Sequence, residues 1–372
     1  MVPKIPFIKP KFPEPEELID YIKRIYKNNY YSNNGPMYVE FKAAIEEYLG
    51  NGTKAVVVAN ATLGLMMAIQ VNIKHTSPAK KYIAIPSFTF AAGPLAIRWC
   101  GFEPLFFDIN EHSQPSLPSF KTVLDTYGDQ LAGVFLINDF GIGNQEIGQW
   151  EQLLSEKNLP FIIDSAPGFG STYSDGGFVG TRGICEVFSF HATKPFGIGE
   201  GGLIVTQDSE LAEELESLKN FGFNDQKQTT GLGINAKITE LDCAIGLCLL
   251  KKYPDMLTDR RKSYQRFRTN LESEQISFLP GAETSAIQFV SILVDEQKRP
   301  KLLELLKEGG VEARTYYAPA VHTFPFFADC LKTDLPMTES MSRRIISLPL
   351  HPNMPAETID YICGIVTKGM EG

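Results

Sequence analysis

A lysine that follows an apolar run and precedes a glycine-rich turn is the residue of this chain best placed to do chemistry. The run 187–190 contains Ser189 and leads to Lys194, and glycines then recur over residues 197–202. A lysine held at a strand end by a tight turn can be partly desolvated, which lowers the pKa of its amine and suits it to Schiff-base formation with a carbonyl compound. The ordinary alternative is a solvated surface lysine beside a turn whose glycines serve backbone geometry alone.

The glycine spacing by itself identifies no nucleotide site. It does not follow a βα unit with an acidic residue about 20 positions downstream, as a dinucleotide fingerprint requires. The order G-x-x-x-x-G-K-[ST] of a P-loop is also absent from the sequence. Lys194 therefore needs support from residues elsewhere in the chain.

Two other predicted strand ends carry residues that could give this support. Residues 54–59 predict a buried strand that runs into Asn60-Ala61-Thr62, ahead of a helix over 65–71. The N–H groups and hydroxyl of such a turn suit one phosphate, although an ordinary helix N-cap has the same composition. Asp164 ends the apolar run 161–164, where its charge needs a partner such as the next turn or a pyridinium nitrogen.

The elements that must position these residues alternate between apolar strands and helices. Two helices are predicted near 14–26 and 37–50. Strands are predicted at 54–59, 82–86, 104–109, 131–138, 161–164, 187–190 and 203–206, and a helix from 87 to 99 follows the second of them. Almost wholly apolar strands separated by helices predict an α/β fold with a largely parallel sheet covered on both faces. Ligands of such sheets bind at the carboxyl ends of the strands.

The last third of the chain predicts a smaller α+β unit. A long helical pattern over 238–270 is interrupted at Tyr253-Pro254, where the first helix should end. We therefore predict a large domain over residues 1–253 and a small domain over 254–372. The small domain should contain a strand at 286–294, a helix at 300–307, a strand at 311–317 and a closing helix at 356–368.

Composition excludes several classes of protein. The chain has 372 residues, 43% of them hydrophobic, and a net charge of −9, which argues for a packed globular protein and against a nucleic-acid binder. Six cysteines without C-x-x-C spacing predict reduced thiols, and the five histidines show no metal-binding pair, so no metal is expected. With neither a signal peptide nor a membrane-length apolar run, we expect a cytoplasmic protein.

The ordered set of motifs resembles the DegT/DnrJ-type sugar-nucleotide aminotransferases, which are fold-type-I enzymes dependent on pyridoxal 5′-phosphate (PLP). The lysine segment is similar to the family signature S-F-x-x-T-K…G-E-G-G. The matching segments, in chain order, are 33–36, 60–62, 86–90, 164–166, 189–202, 233–240, 316–322 and 347–350. The resemblance covers essentially the whole chain. It implies a large domain with a mostly parallel seven-stranded sheet between helices, and a small C-terminal α+β domain.

The resemblance also implies roles for individual residues. Lys194 would form the Schiff base and carry the transferred proton, Asp164 would pair with the ring nitrogen, and Phe90 would stack on the ring, although a core-filling aromatic is its ordinary alternative. The implied phosphate ligands are the Ala61 N–H, Thr62 and Ser189, together with Asn235 from the other subunit, so that a homodimer with shared active sites is implied. Candidates to contact the sugar nucleotide, by their location in matched segments, are Asn34, His191, Tyr317 and His322.

The implied activity is transfer of an amino group, with glutamate as donor, to a nucleotide-linked keto-sugar of the 4-keto-6-deoxy type. Such a reaction would serve cell-surface polysaccharide or amino-sugar biosynthesis. One alternative is a PLP-dependent sugar dehydratase, whose known branch has histidine where this chain has Lys194. The other is a sensor or regulator that binds PLP without turnover.

Two positions depart from the family pattern. Pro167 stands three residues after Asp164, where relatives often have Gln or His, and proline cannot bond the cofactor or steer a substrate as those side chains would. The phosphate turn reads N-A-T-L rather than S-G-T-A, but Ala61 still offers its N–H. Pro167 therefore bears on the substrate, and the altered phosphate turn bears on the cofactor.

Overall fold

Helices and strands alternate through residues 5–73 and 79–371, which a computed structural model describes. The helices are α1 (Pro15–Asn28), α2 (Pro36–Leu49), α3 (Ala61–Asn72), α4 (Ala92–Trp99), α5 (Leu117–Tyr127), α6 (Ile147–Glu156), α7 (Ser209–Lys219), α8 (Glu240–Leu250), α9 (Tyr253–Leu271), α10 (Arg299–Glu308), α11 (Pro336–Arg344) and α12 (Ala356–Met370). The strands are β1 (Lys54–Val58), β2 (Tyr82–Pro86), β3 (Glu103–Phe107), β4 (Leu131–Ile137), β5 (Phe161–Asp164), β6 (Glu186–Ser189), β7 (Gly202–Thr206), β8 (Ser277–Phe278), β9 (Val290–Leu293) and β10 (Ile345–Leu348).

Seven strands form one sheet in the order β1-β7-β6-β5-β4-β2-β3. Pairs among β2 to β6 are parallel, and β7 is antiparallel to both of its neighbours. Every residue of β4 is buried, and alternate residues of β1 enter apolar clusters on opposite faces of the sheet. This burial on two faces explains the nearly continuous apolar strands, and it confirms the predicted α/β fold with a mostly parallel seven-stranded sheet.

A second sheet contains three antiparallel strands in the order β10-β9-β8. The strand predicted at 311–317 is wrong, because this segment makes only isolated bridges, from Val311 to Ile5 and from Arg314 to Ser347. Its two ends face different partners, and a turn closed by the Ala318 N–H on the Thr315 carbonyl follows, so no continuous ladder forms. The predicted strand at 286–294 is shortened to β9, and β10 was not predicted.

The N-terminal segment crosses to this second sheet before α1 begins. The Phe7 N–H donates to Glu312 at 3.0 Å, and the His351 ring hydrogen-bonds the Pro6 carbonyl at 2.6 Å. Helix α9 spans the boundary proposed at Tyr253, because its first turns are buried with the large sheet and its last turns with the small one. The division at residue 253 stays a prediction. Over residues 5–73 and 79–371, no helix is long and apolar enough to cross a membrane.

Glu240 anchors the start of α2 from a distant part of the chain. Gly35 stands at the N-cap of α2 and offers no side chain, so the buried Glu240 carboxylate accepts the N–H groups of Met37 at 2.8 Å and Tyr38 at 3.0 Å instead. A negative charge at a helix N-terminus satisfies these donors and complements the helix dipole. Residue 240 belongs to the matched segment 233–240, and its contacts here are within the chain's own fold.

Glu240→Ala should lower the free energy of unfolding by about 2 kcal/mol, because two buried N–H groups lose a charged acceptor. The midpoint of urea denaturation measures this change. Glu304→Ala, on the exposed face of α10, is the matched control and should leave the midpoint unchanged. Equal midpoints for both variants would show that Glu240 is not an anchor.

Candidate active site

The carboxyl ends of the central strands bring the predicted residues to one edge of the sheet. Gly202, the first residue of β7, pairs with Ser189 at the end of β6 on one side and with Val58 at the end of β1 on the other. Asp164 ends β5, the next strand beyond β6. The lysine segment, the acid and the Asn60-Ala61-Thr62 turn therefore meet because of strand register.

The turn after β1 forms a cradle of unbonded N–H groups. The Asn60 side chain caps α3 by accepting the Leu63 N–H at 2.9 Å, while the N–H groups of Ala61 and Thr62 donate to no group in the described parts of the chain. A Cβ on Gly202 would lie 2.6 Å from the Ala61 nitrogen, so only glycine permits this approach. Free N–H groups at a helix N-terminus are a site for a phosphate.

Lys194 follows β6 in a tightly folded loop. Its N–H donates to the His191 carbonyl at 2.9 Å, and a Cβ on Gly197 would lie 2.8 Å from that same oxygen. The lysine Nζ forms no hydrogen bond or ion pair with any described residue. Burial lowers the pKa of this amine, and the nearby charge of Asp164 acts in the opposite direction. A desolvated, uncommitted amine is what a Schiff-base lysine requires.

Asp164 has one carboxylate oxygen in use. Its Oδ1 accepts the Ala166 N–H at 2.9 Å, and the side chain is only 7% exposed. Burial raises its pKa from the ordinary 3.8 to about 6, although the Ala166 N–H and the charge of Lys194 act to lower it. A protonated ring nitrogen would supply the positive partner that this carboxylate lacks.

Asp139 is an acid of this site that the sequence analysis missed. It lies in the turn after β4 and is only 6% exposed, and burial together with the charge of Asp164 raises its pKa well above the ordinary value. Burial, followed by the charges of the same two carboxylates, raises the pKa of Tyr317, whose ring stacks on Phe140 with a centroid distance of 5.7 Å. An acid two residues beyond an apolar strand was the available signal in the sequence.

Among the remaining predicted residues, Phe90 and His191 stand at the same edge. Phe90 lies in the loop after β2, which is not yet helical because α4 begins at Ala92, and its ring is 61% exposed. The His191 Nδ1 is 2.8 Å from the Thr193 hydroxyl in the lysine loop. Both side chains therefore leave a face available for a ligand.

Three predicted residues have other surroundings. His322 is buried and shares a hydrogen bond of 2.6 Å with Ser87, at the base of the Phe90 loop. Asn235 is exposed and accepts from Lys237 at 2.6 Å, while the carbonyl of the next residue, Ala236, accepts the Ala59 N–H at 2.8 Å. Asn34 is partly buried and precedes α2. Asn235 therefore lies on a segment that is hydrogen-bonded to the residue before the phosphate turn, and His322 contacts the start of the loop that carries Phe90.

The groups left without partners fit PLP. Its phosphate suits the cradle at Ala61 and Thr62, its ring nitrogen suits the second oxygen of Asp164, and its aldehyde suits the Lys194 amine. Among the described residues, no cluster of His, Cys, Asp and Glu side chains is placed to hold a metal ion. A fold-type-I architecture with this set of residues defines a PLP-dependent enzyme.

The chain belongs to the DegT/DnrJ/EryC1/StrS aminotransferase family, whose family model matches residues 14–367. It is therefore similar to PLP-dependent aminotransferases along nearly its whole length, and it is an enzyme of this type. A crystal structure of a putative PLP-dependent aminotransferase from Bacillus cereus has 34% identity and a TM-score of 0.92, and the match covers 98% of this chain and 99% of that one.

Two curated relatives extend this comparison. Protein Rv3402c from Mycobacterium tuberculosis is 38% identical over 373 residues, which cover 99% of this chain and 90% of the relative. The dTDP-4-amino-4,6-dideoxy-D-glucose transaminase of Shigella dysenteriae is 27% identical, and the match covers 97% of each chain. The resemblance inferred from the motifs is confirmed.

Gly202→Ala should weaken PLP binding, because the added methyl would lie 2.6 Å from the Ala61 nitrogen and must displace the phosphate turn. We expect at least a roughly ten-fold loss of affinity, about 1.4 kcal/mol. Titration of the cofactor-free protein with PLP, followed by absorbance, measures it. Gly128→Ala is the control, because a methyl there meets no atom within 4 Å. Equal affinities would contradict the packing role of Gly202.

Asp164→Asn should stabilise the cofactor-free protein above pH 6. Because burial raises the Asp164 pKa to about 6, the folded state favours the protonated acid, and the associated stability is lost as the pH rises through that value. The variant should therefore unfold at higher urea concentration than the wild type at pH 7, by up to about 3 kcal/mol, and at similar urea at pH 4. A difference that does not depend on pH would contradict the raised pKa.

Proposed function

We propose that this enzyme transfers the amino group of glutamate to a nucleotide-linked 4-keto-6-deoxy sugar. The observation that carries the amino-transfer chemistry is the uncommitted, desolvated amine of Lys194 beside the buried carboxylate of Asp164. Support for the sugar comes from the Shigella dysenteriae transaminase, whose match covers 97% of each chain. The product would enter amino-sugar or cell-surface polysaccharide biosynthesis.

The chain's own residues would divide the work as follows. PLP, when bound, supplies an aldehyde for the amine and a ring that withdraws electrons from the reacting carbon. Lys194, whose pKa is lowered by burial, is the base that removes the proton from the amino-bearing carbon and returns it. Asp164 keeps the ring nitrogen protonated. The hydroxyls of Thr62 and Ser189, with the Ala61 N–H, hold the phosphate.

Substrate contacts follow from the same edge of the sheet. We assign Phe90 to the face of the ring, since its exposed side chain stands on the loop after β2. We assign His191 and Tyr317 to the sugar. The His191 ring is hydrogen-bonded to Thr193 in the lysine loop, and the charge of Asp164 acts on Tyr317, which supports this assignment. Asn34 is assigned to the nucleotide side, and His322 to positioning the Phe90 loop through Ser87.

The proposed working unit is a homodimer in the cytoplasm. Asn235 is exposed, so its side chain is accessible to a second subunit, which supports a role at the cofactor phosphate of the partner subunit. All six cysteines are free thiols, which supports a reducing compartment. The dehydratase alternative is disfavoured because residue 194 is lysine, where the known dehydratases have histidine. The sensor alternative would bind PLP in the same way as the aminotransferase but would not turn over a substrate.

The first test is covalent and needs no sugar. Holoenzyme reduced with borohydride should carry PLP on Lys194, as read by peptide mass mapping. Lys194→Ala should lose the label and slow amino transfer at least about a hundredfold, since a positioned base contributes 10²–10⁴. Lys301→Ala, exposed on α10, is the control and should behave as wild type. A label on another lysine would overturn the site.

The second test separates the functions. Glutamate should convert the bound cofactor to its pyridoxamine form, and a dTDP-linked 4-keto-6-deoxy sugar should then return it to PLP and yield an amino sugar, detected by mass spectrometry. Deoxygenated product without nitrogen would support the dehydratase. Binding of PLP without conversion by any amino donor would support the sensor.

A further inference from the structure

Asp139 is a buried acid whose carboxyl lacks a hydrogen-bond partner within residues 5–73 and 79–371. The Asp139 backbone carbonyl accepts a hydrogen bond from the Ile142 N–H at 2.9 Å. The Asp139 side chain, in contrast, forms no hydrogen bond and no ion pair with any residue of these ranges. Buried polar groups in native proteins nearly always have a partner. An unpartnered acid that is 94% buried therefore calls for a ligand group, and this one lies at the edge where the cofactor binds.

The backbone fixes Asp139 next to Asp164. Ile137 pairs with Asp164 across β4 and β5, and the Asn138 N–H donates to the Asp164 carbonyl at 2.9 Å. The titratable groups that face Asp139 are Asp164 from β5 and Tyr317 from the segment after Arg314. Lys194 in turn faces Asp164, and Tyr316 faces Tyr317. Burial, together with the charge of Asp164, raises the pKa of Asp139 and so favours the protonated form, which is the form that can donate a hydrogen bond.

Neighbouring polar groups on these two strand ends are already committed. The Asn138 amide donates to the Ser165 hydroxyl at 2.8 Å and to Tyr173 at 3.0 Å, and the Ser165 hydroxyl donates to Glu186 at 2.6 Å. Pro167 has neither an N–H nor a polar side chain. Asp164 aside, Asp139 is therefore the polar side chain at the ends of β4 and β5 that has no hydrogen-bond partner among the described residues.

PLP presents two polar atoms on its ring, the nitrogen and a phenolic oxygen. We propose that Asp139 is a second cofactor-binding acid, which donates a hydrogen bond to the phenolic oxygen while Asp164 binds the ring nitrogen. The two acids come from adjacent parallel strands, β4 and β5, so they can reach two sites of one ring. This inference rests on the cofactor and not on the sugar substrate.

The pH titration of the visible band of the holoenzyme tests this role without any substrate. A donor to the phenolic oxygen weakens that oxygen's hold on the proton of the adjacent lysine–cofactor nitrogen. Asp139→Leu should therefore raise the pH midpoint of the band by about one unit, a ten-fold change in proton affinity. Asp139→Asn retains a donor and should keep the midpoint near that of wild type. Asp129→Leu, at an exposed turn, controls for the loss of an acid and should cause no shift.

The sign of the shift decides the outcome. A midpoint that is unchanged or lowered in Asp139→Leu would overturn the proposal, since loss of a negative charge alone would favour the unprotonated form. A midpoint in Asp139→Asn as high as that in Asp139→Leu would also overturn it. Asp139→Leu should fold, because replacing an unpartnered buried acid by an apolar side chain of similar size removes a desolvation cost. The visible band itself shows whether PLP is bound. A protein without this band would contradict the cofactor assignment, whereas a band with an unshifted midpoint would contradict only the role of Asp139.

Discussion

Two opposite charges are buried at neighbouring strand ends without a direct ion pair between them, and the site depends on this arrangement. Lys194 and Asp164 influence each other's pKa, yet within the described residues no contact of ion-pair length joins them. A tight pair would hold the lysine as a cation and would occupy the carboxylate. Separation with burial instead disfavours both charges, which leaves an amine able to act as a nucleophile and an acid able to take a cationic partner.

Backbone contacts maintain this separation. The strand register β6-β7-β1 brings Ser189 and the phosphate turn to the two sides of Gly202. In the loop that contains Lys194, Gly197 packs closely against the backbone carbonyls of His191 and Ala192. Behind the strand ends, Glu186 accepts Ser165 at 2.6 Å and the Gly180 N–H at 2.7 Å, and burial raises its pKa to about 7. This network is satisfied internally, so it fixes the strand ends and leaves the groups in front of them for ligands.

The sequence predicted the large sheet well, because a parallel sheet depends on local apolar patterns. The roles of the site residues at its strand ends stay a prediction. Apolar strands of the parallel sheet are buried on both faces, and the residues that end β5 and β6 stand out against them. The segment 311–317 was mispredicted because its two bridges depend on the distant partners Ile5 and Ser347. The role of Glu240 as a helix anchor could not be foreseen either, since it depends on the packing of α8 against the start of α2.

Asp139 escaped notice for a related reason. An acid in a turn is usually solvated, whereas Asp139 is buried in a turn whose Phe140 ring stacks on Tyr317, a residue distant in sequence. With Asp164, Lys194 and the Ala61 cradle, it forms a set of groups that are desolvated on folding and are matched only by a molecule with a phosphate, an aldehyde and a ring nitrogen. Such a set opposes folding of the cofactor-free chain. Cofactor binding removes this cost, so PLP should stabilise the fold as well as supply the chemistry.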